Sequence, residues 1–132
     1  MDYATIISNI KAKNFEKIYF LHGEEPYYID KITAAIIENA LEDHERDFNQ
    51  TILYGKDSDA LSMISVAKGY PMMSERRLLV LKEAQDFKGI EELVSYLKSP
   101  ADQTIFVINY KYKKYDARKK ALKAVGKNGI VY

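Results

Sequence analysis

Ile18-Tyr19-Phe20-Leu21-His22-Gly23-Glu24-Glu25-Pro26 is the stretch on which the fold turns. Its first four residues are apolar without alternation, which reads as a strand covered on both faces. Gly23 stops the strand. Glu24-Glu25-Pro26 then opens a helix, with the proline in the first turn, where a missing N–H does no harm. Ile29, Ile32, Ile36 and Ala40 lay one apolar stripe along that helix. A buried strand feeding an amphipathic helix is the first half of a parallel crossover.

The same alternation extends outward in both directions. Upstream, Ile6, Ile7 and Ile10 make residues 3–12 a short helix. Downstream, Phe48 to Leu53 reads as a strand ending at Gly55. Asp57-Ser58-Asp59 offers N-caps for a helix to about Ala67, whose buried stripe would hold Leu61 and Ile64. Gly69-Tyr70-Pro71 breaks that helix. Leu78-Leu79-Val80-Leu81 is a second wholly apolar strand, and Ile90, Leu93, Val94 and Leu97 have helical spacing before Ser99-Pro100. Thr104 to Ile108 is a third buried strand and Asp116 to Val125 a basic helix. Ile130-Val131-Tyr132 follows Gly129 as a strand at the chain end, which suggests a parent chain continuing past it. Strands and helices in strict alternation predict an α/β fold, an open parallel sheet with helices on both faces.

Composition narrows the setting. A chain of 132 residues, 47% hydrophobic, suffices for one domain with its own core. The net charge of +1 gives no global drive toward DNA or an acidic membrane. Basic residues nevertheless crowd between Lys111 and Lys127 against a single acid, Asp116. The absence of cysteine excludes disulfides and thiolate metal sites. No run approaches the length of a membrane span, and the first residues lack the pattern of a secretion signal. A soluble, cytoplasmic domain without membrane contact is the expectation.

Ligands of open α/β sheets sit at the carboxyl ends of the strands, so those loops come first. A phosphate-binding P-loop needs G-x-x-x-x-G-K-[ST]. Counted from Gly23, the last three positions hold Tyr28, Ile29 and Asp30, and Glu24 and Glu25 would repel a triphosphate. Gly55-Lys56 and Gly126-Lys127 fail the same pattern. The apolar run Leu78–Leu81 should be followed by Asp-Glu if it held magnesium in the manner of an AAA+ ATPase. It is followed by Lys82 and Glu83. Asn109 stands where such ATPases place a phosphate-sensing polar residue, although Glu83 and Asn109 read more simply as ordinary loop polars. His22 reads as a strand-end residue, His44 as a solvated loop residue, and Glu91-Glu92 as a solvated helix face. No catalytic, cofactor-binding or metal-ligating residue is assigned. Tyr110-Lys111-Tyr112-Lys113-Lys114-Tyr115 mixes bases with aromatics. It could touch DNA through Lys111, Lys113 and Lys114, or cover the sheet end with lysine stems and tyrosine rings.

Three motifs carry a family resemblance. Leu21-His22-Gly23-Glu24-Glu25-Pro26-Tyr27 resembles the L-x-G-E-E-P-Y opening of clamp loader delta subunits. Pro71-Met72-Met73-Ser74-Glu75-Arg76-Arg77-Leu78-Leu79-Val80 is similar to their P-F-F-S-E-R-R-L-V-x stretch, and Asp116-Ala117-Arg118-Lys119-Lys120 to their D-x-R-x-K helix start. The matches fall in family order across nearly the whole chain. The resemblance implies an AAA+/P-loop NTPase-like domain I over residues 1–132, without a working P-loop and without ATP hydrolysis. It implies a subunit of the DNA polymerase III clamp loader in DNA replication, which binds the sliding clamp (beta subunit) and helps open the ring. Contacts with the other loader subunits would run through helical and collar domains absent from this chain. DNA contact by this domain alone would be weak.

The family's clamp-binding element carries large apolar side chains, and by the resemblance it falls on Tyr70, Met72 and Met73. The family commonly has an aromatic pair where this chain has two methionines, a difference that bears on affinity. On residues alone, the two methionines either form an exposed plug outside the preceding helix's stripe or fold back over the sheet end as core. Two rival functions are a divergent NTPase and a small α/β interaction module of the response-regulator type. The latter would need a phosphoacceptor Asp at a strand end.

Overall fold

The computed structural model describes residues 1–132. Its elements are helix α1 (Tyr3–Lys11), strand β1 (Ile18–Gly23), helix α2 (Pro26–Ala40), a one-turn helix α3 (Arg46–Asn49), strand β2 (Gln50–Tyr54), helix α4 (Ala60–Lys68), strand β3 (Arg77–Lys82), helix α5 (Val94–Lys98), strand β4 (Thr104–Lys111), helix α6 (Lys120–Asn128) and strand β5 (Ile130–Val131). The strands form one sheet in the order β2-β3-β4-β1-β5, and every pair is parallel. No helix is long and apolar enough to cross a membrane.

Alternation along each strand divides the core in two. Tyr19 and Leu21 of β1, with Leu78, Val80, Ile105 and Val107, face Ile6 and Ile10 of α1 and Ile29, Ile32 and Ile36 of α2. Ile18 and Phe20, with Leu79, Leu81, Phe106 and Ile108, face α4, α5 and α6. Both faces are therefore covered, as the unbroken apolar runs require. Helix starts follow local chemistry. Asp2 accepts from the backbone N of Thr5 at 2.9 Å, and Asp59 from that of Ser62 at 2.9 Å.

Several expectations shift. The strand expected from Phe48 begins at Gln50, because Arg46–Asn49 closes a helical turn that leaves Phe48 66% exposed. Leu61 is 82% exposed, not core; Ala60, Met63 and Ala67 form the buried stripe of α4, with Ile64 packed at its margin. The helix expected from Asp116 begins at Lys120. Asp116 instead accepts from the backbone N of Arg118 at 2.9 Å and from its guanidinium at 3.0 and 3.1 Å, a side-chain turn that delays the helix. The strand expected to end at Ile108 continues to Lys111.

Candidate functional site

At the carboxyl ends of the strands, where a nucleotide would lie, parts of the chain occupy positions a phosphate would need. Gly23 takes a φ of 137°, open to glycine alone, and its N–H donates to the carbonyl of Lys113 at 3.1 Å. The loop after β4 thus closes over the loop after β1. Glu25 caps α2 by accepting from the backbone N of Tyr27 at 3.0 Å, so a carboxylate already occupies the helix end a phosphate would seek. Asn109 is not a loop residue. It is buried in β4, with its side-chain oxygen accepting from the Thr33 hydroxyl at 2.9 Å. Glu83 sits in left-handed backbone at φ 53° and accepts from the side-chain amide of Gln85 at 2.7 Å.

Lys111 places its ammonium 2.7 Å from Asp30 and 3.7 Å from Glu83. Burial pulls its pKa down, but the hydrogen bond and charge of Asp30, then the charge of Glu83, outweigh that and hold it above the ordinary lysine value. The lysine thus neutralises two acids at this end of the sheet. Titration of the domain with ATP or GTP in the presence of magnesium should give no calorimetric binding signal. A magnesium-dependent, submillimolar Kd would contradict this arrangement.

Two rings of the basic and aromatic stretch 110–115 cover the sheet end, while Tyr112, Lys113 and Lys114 are exposed. Tyr110 is buried, and the rings of Phe20, Tyr110 and Tyr115 pack together at centroid distances of 5.1–6.2 Å. The Tyr115 hydroxyl donates to Glu91, which also accepts from the backbone N of Ala121 at 3.2 Å. Glu91 is thus a structural acceptor, not part of a solvated face. His22 accepts at Nδ1 from the backbone N of Tyr115 at 2.8 Å, which requires that nitrogen to be unprotonated. Burial, then the charge of Lys114, lowers the pKa of His22 from 6.5. A base whose folded pKa is depressed contributes stability above its unfolded value, lost as pH falls through the folded one. Urea melts between pH 7 and 5 should therefore show wild type losing stability faster than His22→Ala. Parallel losses would remove the histidine from the account.

The apolar turn between α4 and β3 lies at the opposite, amino end of the sheet. Tyr70, Met72 and Met73 are 83%, 57% and 95% exposed, so the methionines do not fold back as core. Their side chains are free while their backbone is held. Asn49, 1% exposed, donates to the carbonyl of Met72 at 2.8 Å and accepts from its N–H at 2.6 Å. The same amide donates to the carbonyl of Glu45 at 2.9 Å. Gln103 donates to the carbonyls of Lys68 and Gly69 at 3.2 Å, and Arg77 to that of Tyr70 at 3.3 Å. Arg76 donates to the carbonyl of Ala40 at 3.1 Å and lies over the Phe15 ring at 4.8 Å. Met73 has a φ of 55°, which turns it outward beside a cleft of about 650 Å³ bordered by Asn39, Glu42 and Glu75. The sequence pointed to the apolar side chains. It did not point to Asn49, Gln103 or Arg76 as their supports, because those contacts span 23 to 36 positions.

Comparison with known proteins bears on this arrangement. The family model described as "DNA polymerase III, delta subunit" matches residues 19–132. DNA polymerase III subunit delta of Bacillus subtilis (strain 168) is 29% identical over 133 residues, covering 93% of this chain and 38% of that protein. The solved Bacillus subtilis DNA clamp loader delta protein superposes with a TM-score of 0.86 at 26% identity, over 98% of this chain and 41% of that one. A DNA polymerase III gamma subunit-related protein from Thermotoga maritima superposes with a TM-score of 0.62 at 12% identity, over 100% of this chain and 45% of that one, a likeness of fold alone. The chain thus spans about two fifths of the length of these delta relatives.

Proposed function

From the premise that the chain belongs to the DNA polymerase III delta subunit family, we propose that it is a clamp-gripping, AAA+-like first domain of a clamp loader subunit. It acts in DNA replication, binding the sliding clamp and helping open the ring, with no ATP hydrolysis of its own. The observation that carries this reading is the turn of Tyr70, Met72 and Met73, with exposed apolar side chains on a backbone fixed by Asn49, Gln103 and Arg77. Binding surfaces spend less free energy on ordering when their backbone is already set. Methionine suits the role because its flexible thioether adapts to a pocket.

The carboxyl end of the sheet supports the second half of the reading. Glu25 at the helix end and the closure of the loop after β4 over Gly23 disfavour a triphosphate there, which argues against a divergent NTPase. Contacts with other loader subunits are assigned to the lengths of the relatives that this chain does not span. A cytoplasmic setting follows from the replication role. Within the basic loop, Lys111 is committed to Asp30 and Glu83, whereas Lys113 and Lys114 remain exposed. DNA contact through that loop is accordingly weak.

The direct test is titration of the chain onto an immobilised sliding clamp. Saturable binding in the micromolar range is the expected result, and its absence at those concentrations rejects the reading.

A further inference from the structure

We propose that Met72 and Met73 are a modification site, at which hydroperoxides oxidise both thioethers to sulfoxides and so loosen the turn's hold on the clamp. The oxidation is a property of this chain alone, whereas its effect on binding rests on the clamp-gripping role proposed above.

The distribution of sulfur carries the first half. The chain has four methionines and no cysteine, so no thiol of its own competes for an oxidant. The four thioethers differ sharply in access. Met63 is 0% exposed, in the buried stripe of α4. Met1 is 64% exposed at the chain start, its sulfur 3.8 Å from the side-chain nitrogen of Asn9. Met72 and Met73 are 57% and 95% exposed and adjacent in the chain. That exposure is built in. Asn49 holds the Met72 backbone at 2.6 and 2.8 Å, and Met73 sits in left-handed backbone at φ 55°. A reagent in water meets both sulfurs without any opening of the fold.

The step needs only the side chain and the oxidant. A sulfur lone pair attacks the outer oxygen of the hydroperoxide, and an S–O bond forms as the O–O bond breaks. The departing oxygen takes the proton of the transferred hydroxyl. Sulfur gives up two electrons and becomes a sulfoxide, while the peroxide is reduced to water or an alcohol. Leucine or phenylalanine in the same place would have no such reaction.

The product changes what the turn can bury. A thioether is apolar and a weak acceptor, whereas a sulfoxide is polar and chiral. Inside an apolar pocket its oxygen would lose water without gaining a donor. The fold itself is spared, because both side chains lie in solvent, where the sulfoxides stay hydrated. The contacts that hold the turn end on backbone groups: Asn49 on Met72, Gln103 on Lys68 and Gly69, and Arg77 on Tyr70. Oxidation therefore removes the grip and leaves the scaffold that presents it. Each sulfur gives two sulfoxide epimers, so reversal calls for both classes of methionine sulfoxide reductase, one per epimer.

The test exposes the chain to hydrogen peroxide, removes the oxidant, and follows each methionine by peptide mass spectrometry. Met72 and Met73 should oxidise about tenfold or more faster than Met63. Titrated onto immobilised clamp that has met no peroxide, the oxidised chain should bind about tenfold or more weakly. Its thermal melt should not move, and treatment with both reductases should restore the affinity. Met72→Leu/Met73→Leu, whatever its starting affinity, should lose none of it to peroxide. That variant keeps Met1 and Met63, so it separates their oxidation from the effect. The proposal is overturned if Met72 and Met73 react no faster than Met63, or if the doubly oxidised chain binds as tightly as the untreated one. An equal loss in the leucine variant, or a loss matched by early melting, overturns it as well. Failure of the untreated chain to bind clamp is a separate outcome. It rejects the clamp-gripping role and the switch with it, while the oxidation rates still decide the site of modification.

Discussion

Replacing Met72 and Met73 together by alanine is expected to weaken binding to the sliding clamp by about 2 kcal/mol or more, a rise in Kd of about thirtyfold. The melting temperature should hardly move. Both expectations rest on one fact, that the side chains lie in solvent at 57% and 95% exposure. Truncating an exposed methionine leaves no cavity, whereas a buried one would cost about 2–5 kcal/mol of stability. The backbone clasp from Asn49 does not depend on either side chain, so the turn keeps its shape. Titration onto immobilised clamp, paired with calorimetric melting, separates the outcomes. A double variant that binds normally but melts early would return the methionines to the core.

Asn49→Leu is expected to do the converse, lowering stability by about 2–3 kcal/mol and clamp binding with it. Leucine keeps the branching at Cγ with bulkier methyl groups, so overpacking adds to the cost. The main loss is that of three hydrogen bonds, one to Glu45 and two to Met72. Their partners are left beside an apolar group where only an amide, with a donor and an acceptor on one plane, satisfies both N–H and C=O. Asn49→Asp keeps an acceptor for the Met72 N–H and loses the donors, so it should fall between. Denaturant melts read the first effect and clamp titration the second. Unchanged melting in Asn49→Leu would mean that the turn is held by Gln103, Arg76 and Arg77 alone.

The two variants separate side chain from scaffold. Loss of binding without loss of stability marks the groups that meet a partner. Loss of both marks the group that presents them. Asn49 is expected in the second class, and it carries no local signal. In sequence it is one polar residue among Asp47, Phe48 and Gln50, at the start of a stretch that reads as strand from Phe48.

The amino-acid sequence by itself determined the α/β fold with helices on both faces, from apolar runs such as Ile18–Leu21 and Leu78–Leu81 and from stripes such as Ile29, Ile32 and Ile36. It also determined the lack of a phosphate loop, since that motif is a matter of residue type at fixed spacing. It marked Tyr70, Met72 and Met73 as apolar groups outside a helix stripe, but left open whether they were plug or core. Only the tertiary structure decided that, along with the strand order, the burial of Asn109, the commitment of Lys111 to Asp30 and the exposure of Leu61. The reason is range. Periodicity and capping are set by neighbours within a turn or two of chain and are written locally. Burial and pairing depend on which distant segment arrives: Thr33 meets Asn109 across 76 positions, and His22 meets Tyr115 across 93. No local pattern encodes those encounters, nor the meeting of Asn49 with Met72 across 23 positions that holds the apolar turn.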